Sequence, residues 1–151
     1  MADPIRTPRR NPPVELDLHG YRMLSDFRYL LRRFLGFSQS AARRAGLTPR
    51  QHQALLAVKG FAAPCGPTIG DFAERLGIRP HSAVELVDRL VEAGLLLRRH
   101  DPADRRRVFL ALTDAAETRL ASLSAIHLEE LRSLRPALLQ ILERLGSPPE
   151  P

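Results

Sequence analysis

Cysteine and lysine each occur once in this 151-residue chain, and each scarcity is informative. Cys65 stands alone, so there is no internal disulfide framework and no cysteine-rich metal site. His19, His52, His81, His100 and His127 fall in different segments, without His-x-x-x-His or His–Cys spacing for a metal. A glycine-rich phosphate loop and a nucleophile elbow are both missing, so the enzyme reading has no motif to carry it. No apolar run approaches the ~18 residues that a membrane span needs. The opening MADPIRTPRRNPP lacks the apolar stretch of a signal peptide. The expectation is a cytoplasmic protein with no catalytic residues, cofactor, metal or membrane.

Lysine is scarce because the other 22 of the 23 basic residues are arginine, against 17 acidic residues. The net charge is +6 and the isoelectric point lies near 10.8, in the range of nucleic-acid-binding domains. Arginine offers a rigid fork to phosphates and guanine edges. High-GC codon usage is an equal explanation for the bias.

The chain is long enough for one domain with a single core. Residues 1–17 begin with four prolines, Arg6, Arg9 and Arg10, and read as an extended arm. From Leu18 to Ala45 the pattern is helical, with Phe27, Leu30, Leu31, Phe34 and Leu35 at helical spacing and Gly46 as the stop. Thr48-Pro49-Arg50-Gln51 has the form of a capping box and opens a helix to about Gly60. Ala63 to Pro67 is a loop. Thr68 to Asp71 caps a short helix that ends at Gly77, and Pro80 starts another that runs to Ala93 and stops at Gly94. Two short helices joined by so few residues make a helix-turn-helix. Leu95 to Arg99 and Val108 to Leu112 then read as two strands of a hairpin, placed as a wing. From Thr113 the helical pattern returns, with Ala116, Leu120, Leu123, Ile126, Leu131 and Leu134 as apolar positions. Pro136 kinks or restarts this helix, and Leu138, Leu139, Ile141, Leu142 and Leu145 continue it.

The order of elements and the stretch HDPADRRRVFLALT resemble the MarR family of bacterial winged-helix transcriptional regulators, over roughly Tyr21 to Leu145. The wing signature of that family is matched by Asp104, Arg106, Leu112 and Thr113. The segment from Pro80 to Leu90 is similar to its recognition helix. Ala116 departs from the pattern, standing where many members carry glycine. The fold so implied is mainly α with a small β-hairpin: a winged helix-turn-helix DNA-binding lobe over about 47–112, and dimerisation helices over about 18–45 and 113–146. The implied function is a sequence-specific regulator, a repressor released by a small aromatic or lipophilic ligand. Its implied partners are double-stranded DNA with a pseudo-palindromic operator and a second copy of the chain. A winged-helix module for protein contacts, without its own operator, is the alternative.

By the same resemblance Asp104 and Arg106 brace the wing, while Arg105 or Arg107 meets DNA. A narrow minor groove attracts arginine through its negative potential. On the Pro80 to Ala93 helix the stripe of Ala83, Leu86, Val87, Leu90 and Val91 belongs to the core, which leaves His81, Ser82, Glu85 and Arg89 off it. The N-terminal part of a recognition helix meets base edges. Ser82 suits phosphate or base, whereas His81 is a contact or simply solvated. Glu85 accepts from a cytosine amino group or only complements the helix dipole. Arg89 contacts phosphate or pairs with Glu85 four residues earlier. Arg43, Arg44, Arg50 and Arg79, near helix ends, are further phosphate candidates, each with a plain surface role as the competitor. The effector site is open: Arg28, Tyr29, Arg32 and His52 are candidates, with a surface or core role the preferred reading of each. Cys65 lies in a loop, where an inert thiol is the preferred reading.

Overall fold

The structure, a computed structural model, describes residues 17–146. Apart from Asp17, the expected N-terminal arm lies outside the described residues. Asp17 belongs to the first helix as its cap, its carboxylate accepting the Gly20 N–H at 2.8 Å. That helix, α1, spans Leu18–Arg44 and ends in Arg43 and Arg44, where positive charge suits the helix dipole. Helix α2 (Pro49–Lys59) opens on the expected capping box, with Thr48 and Gln51 each bonding the other's backbone. Helix α3 (Ile69–Leu76) repeats the device with Thr68 and Asp71 and ends at Gly77, whose φ of +63° favours glycine. Helix α4 runs over Pro80–Glu92.

Strand β1 (Leu96–His100) pairs antiparallel with β2 (Val108–Leu112), Leu96 opposite Leu112 and His100 opposite Val108. The strand starts one residue later than expected. Leu95 is used to close α4, donating its N–H to the Leu90 carbonyl at 2.9 Å. Thr113 then joins three elements. Its hydroxyl donates to the Gly94 carbonyl at 2.8 Å and accepts the Ala116 N–H at 3.2 Å, tying the start of α5 (Asp114–Gly146) to the end of α4. Ala116 is fully buried. Pro136 lies inside α5, and the helix continues through it.

The main core joins α1 to α5 through the lobe, with Leu55, Phe72, Leu90, Leu96, Leu110 and Leu123 almost wholly enclosed. A smaller cluster of Leu30, Leu134 and Ile141 binds the outer parts of α1 and α5. Burying a leucine-sized side chain contributes about 1.5–3 kcal/mol, so the main cluster dominates the fold.

Two stretches of the expected apolar stripes face elsewhere. On α5, Ile126 is 45% exposed, and His127, at 8%, occupies the inward position after Leu123. Leu131 is also turned outward. The inward face follows 116, 120, 123, 127, 134 and 141, a run in which four-residue steps win over three-residue ones at 127. On α1, Leu30 is buried and Phe34 packs beside it, but Phe27, Leu31 and Leu35 are exposed. Five apolar residues within nine positions cover more helix surface than one neighbouring helix can bury.

Candidate nucleic-acid interface

Helix α4 divides cleanly along its length. Ala83, Leu86, Val87 and Leu90 are buried, and Val91 packs against the same core. His81, Glu85 and Arg89 are exposed, and Ser82 is half-buried. No side chain caps the start of α4 at Arg79, which leaves its first-turn N–H groups without that protein partner. Glu85 and Arg89 have i, i+4 spacing, yet no ion pair joins them among the described residues. Both remain available to a partner outside the chain.

The N-terminal end of α2 comes up beside this face. Thr48, Arg50 and Gln51 line one groove together with Ser82, Glu85 and Arg89. Of the four arginines expected near helix ends, the structure thus brings Arg50 to the α4 face. Arg44 lies elsewhere, bonding the Ser40 hydroxyl at 3.2 Å and lining a separate groove with Arg119 between α1 and α5. Arg43 and Arg79 are exposed. Sequence reasoning missed Val84, which is 42% exposed on the outer side of α4. An apolar side chain there can contact a thymine methyl group. Its signal was present in the sequence, because Val84 falls off the buried stripe.

The loop of the wing is built by its two aspartates. Asp101 accepts the Ala103 N–H on its carboxylate at 2.8 Å, and its own N–H donates to the Arg107 carbonyl at 3.0 Å. Asp104 accepts the Arg106 N–H on its carboxylate at 3.0 Å and the Arg107 N–H on its carbonyl at 2.9 Å. These are Asx-type turns, in which a short acidic side chain satisfies the backbone two residues on. Asp104 and Arg106 therefore do meet, but through the backbone N–H of Arg106, with its guanidinium left unpaired among the described residues. His100 adds a bond from its Nδ1 to the Arg105 carbonyl at 3.2 Å.

The three arginines are separated by this loop. Arg107 turns back over the Phe109 ring, 5.4 Å from its centre, in cation–π range. It also faces Asp71, whose carboxyl is held below its ordinary value first by the Thr68 hydroxyl and N–H and then by the Arg107 charge. Arg105 and Arg106 stay exposed and without such partners. A second tie joins the wing to α4: Arg98 of β1 donates to Asp88 at 2.5 Å. Helix and hairpin are thereby fixed relative to each other, which a two-point contact with DNA requires.

The remaining sequence candidates are scattered. Arg28, Tyr29 and Arg32 are exposed on α1, whereas His52 is buried under α2 against His127. Cys65 is exposed and unpaired. Among the described residues no cluster of three or more His, Cys, Asp or Glu could hold a metal, and no helix is long and apolar enough to cross a membrane.

A model of the MarR family matches residues 45–107, from the end of α1 to the tip of the wing. The chain is 34% identical over 115 residues to YcgE of Bacillus subtilis (strain 168), an uncharacterized HTH-type transcriptional regulator, covering 76% of this chain and 70% of that protein. Among solved structures it is similar to the transcriptional repressor CouR bound to a 23-mer DNA duplex. The identity is 26%, the TM-score 0.61, and the match covers 89% of this chain and all of that one. CouR from Rhodococcus jostii RHA1 bound to p-coumaroyl-CoA is similar at 25% identity and a TM-score of 0.58, covering 85% of this chain and 97% of the other.

Proposed function

Because the chain belongs to the MarR family of transcriptional regulators, we propose that it acts as a homodimeric repressor that grips a pseudo-palindromic operator and is released by a small ligand. It works in the cytoplasm as a regulator and not as an enzyme. The observation that carries this reading is the outward face of α4. Ser82, Glu85 and Arg89 line one groove with Arg50, and Glu85 and Arg89 leave each other unpaired. In this reading Ser82, His81, Glu85 and Val84 meet base edges while Arg89 and Arg50 hold phosphates, since phosphate contacts position and base contacts specify. Arg105 and Arg106 enter the minor groove, and Arg107, stacked on Phe109, steadies the wing that carries them.

The division of labour follows the fold. Residues of about 47–112 form the DNA-binding lobe, and the helices over about 18–45 and 113–146 hold two copies together. Supporting the dimer, Leu24, Phe27, Leu31 and Leu35 of α1 and Leu139, Leu142 and Leu145 of α5 are all exposed. Exposed apolar residues in such number support an interaction site. A ligand of the aromatic-acid class fits the groove between α1 and α5. Its lining combines apolar Ala41, Leu123 and Ile126 with Arg44 and Arg119, in about 560 Å³. Ligand pockets commonly span about 300–1,000 Å³, mostly apolar with a few polar groups.

A mobility shift with duplex DNA from beside its own gene, paired with sedimentation, tests the reading. A dimer at micromolar concentration and a discrete shifted complex are expected. A stable monomer that leaves this DNA unshifted would overturn it.

A further inference from the structure

We propose that His52 and His127 form an acid-sensitive latch between the DNA-binding lobe and the long helices, so that protonation of both imidazoles loosens the lobe and releases DNA. The release step rests on the DNA-binding reading above; the latch itself does not.

The two rings lie 4.6 Å apart, centre to centre, and both residues are buried, at 4% and 8% exposed. They meet where three helices converge. His52 comes from α2, the first helix of the lobe, and His127 from α5, and α1 closes the site. From α1, Phe34 and Phe37 place their rings edge-on to His127 at 6.0 and 5.6 Å. Among the described residues these are the only two polar-class side chains that the core encloses.

The hydrogen bonds fix the protons. His127 Nδ1 lies 2.7 Å from the Leu123 carbonyl, which only accepts, so Nδ1 carries hydrogen. Nε2 lies 2.8 Å from the Ser38 hydroxyl, which can donate to a neutral ring or accept from a charged one. His127 is therefore satisfied in either state. His52 has no comparable support, for no hydrogen bond from its ring reaches a described residue. Burial, and after it the charge on His127, holds its imidazole below the ordinary value. A second proton places two like charges side by side among Phe34 and Phe37.

Among the described residues neither imidazole is paired with a carboxylate. From α1 it is faced by Phe34, Phe37 and the Ser38 hydroxyl, and from α5 by the Leu123 carbonyl. The charged side chains on the adjoining turns, Arg33 of α1 and Glu130 of α5, face each other at 3.8 Å. On α2 the flanking Gln51 and Gln53 are neutral. Separation of α2 from α1 and α5 relieves the strain of double protonation.

That separation reaches the DNA face directly. His52 follows Gln51, which lines the α4 groove, and lies two residues after Arg50, which lines it too. Moving the first turn of α2 away from α5 shifts Arg50 and Gln51 against Ser82 and Arg89. The sign is distinctive. Added positive charge on a basic DNA-binding surface would by itself tighten DNA binding on acidification. The latch predicts the opposite.

The test is fluorescence anisotropy with the duplex from beside the gene at constant ionic strength from pH 8 to 5, together with hydrogen exchange of the α2 amides. Wild-type protein is expected to lose at least about tenfold in affinity (about 1.4 kcal/mol) across the range, with protection of α2 falling in parallel. His52→Phe keeps a ring in the junction and removes the second charge, so its affinity should hold or rise in acid and its α2 should stay protected. Should that variant fail to fold, ring NMR of the wild type across the same range reads whether charging of the His52 ring coincides with the loss of α2 protection, and α2 that opens with His52 still neutral overturns the latch. Affinity that rises or stays level in acid with α2 still protected overturns the latch. DNA that fails to bind at pH 7.5, while α2 still opens in acid only in the wild type, would instead sink the operator reading and leave the latch standing.

Discussion

Deleting the carboxylate of Asp104 should weaken DNA binding, although it removes a negative charge from a surface proposed to meet phosphates. The two effects oppose each other and their sizes decide. Electrostatics favours the variant: a unit charge about 10 Å from a phosphate costs roughly 0.4 kcal/mol in water, and screening with a Debye length of about 8 Å cuts this to about 0.1 kcal/mol. Against it stands the bond from the Arg106 N–H to Asp104 Oδ1 at 3.0 Å, which fixes the turn carrying Arg105 and Arg106. An intramolecular hydrogen bond contributes about 0.5–1.5 kcal/mol net, and the exposure of Asp104 places it in the lower half of that range. If each of two wings must be re-formed on the DNA, Asp104→Ala loses about 1–2 kcal/mol per dimer by that figure, roughly 5–30-fold in Kd. Asp104→Asn keeps an accepting oxygen without the charge and should stay within about twofold of wild type by the screened estimate. Arg106→Ala keeps the backbone N–H, so its loss reports the guanidinium alone. Anisotropy titrations of the three variants at matched salt suffice. An Asp104→Ala protein that binds more tightly than wild type would refute the bracing role and leave the wing as plain basic surface.

The affinity of the dimer should fall steeply with salt: about six neutralised phosphates give a slope near −5 in log K against log salt, and a nearly flat plot would contradict the arginine footprint. Ser82→Ala should relax discrimination by about 1–3 kcal/mol at one base pair while leaving the salt slope unchanged; a uniform loss on all sequences would reassign Ser82 to phosphate. Thr68→Ala removes the cap of α3 and should cost about 1 kcal/mol in melting experiments near neutrality. The folded value of Asp71 is lowered, so its share of stability is present above the ordinary carboxylate range and is lost as pH falls through the lowered value. Asp71→Asn should accordingly melt below wild type at pH 7 and converge with it in acid, and a gap that persists at pH 2–3 would remove the cap from the explanation.

What the sequence made legible was local. Capping boxes at Thr48 and Thr68, stops at Gly46, Gly77 and Gly94, and the two strands of the hairpin are written within a few residues of where they act, and all appear, the first strand shifted by one residue. The outward set on α4 was legible for the same reason, since one helical stripe defines its complement. His127 was not. After Leu123 both Ile126 and His127 lie on nearly the same face, and an isoleucine is the more apolar choice. The partner that decides the matter, Ser38, is 89 residues away, and His52 lies on another helix. Of the wing, the sequence showed Asp104 close to Arg106, but whether a carboxylate takes a guanidinium or a backbone N–H is decided by loop geometry. The spread of apolar residues on α1 likewise signalled burial without saying against what.

Beyond the two named strands, the hairpin has a third, unobtrusive member. Pro67 accepts the Leu110 N–H at 2.8 Å and Thr68 bridges to Phe109, so the segment before α3 lies along the outer edge of β2. Gly66 permits the approach, because a Cβ there would meet the Leu110 carbonyl oxygen at 2.4 Å. An unpaired strand edge is a template on which other chains can add, and natural proteins cover or charge such edges to avoid aggregation. Here one edge is covered by the chain itself, and the strand bearing the other, β1, carries Arg98, Arg99 and His100 in succession. A substitution at Gly66 would therefore do more than strain a turn: it would uncover β2 and turn the wing into a seed for fibrous association, visible as turbidity under conditions where the wild type stays clear.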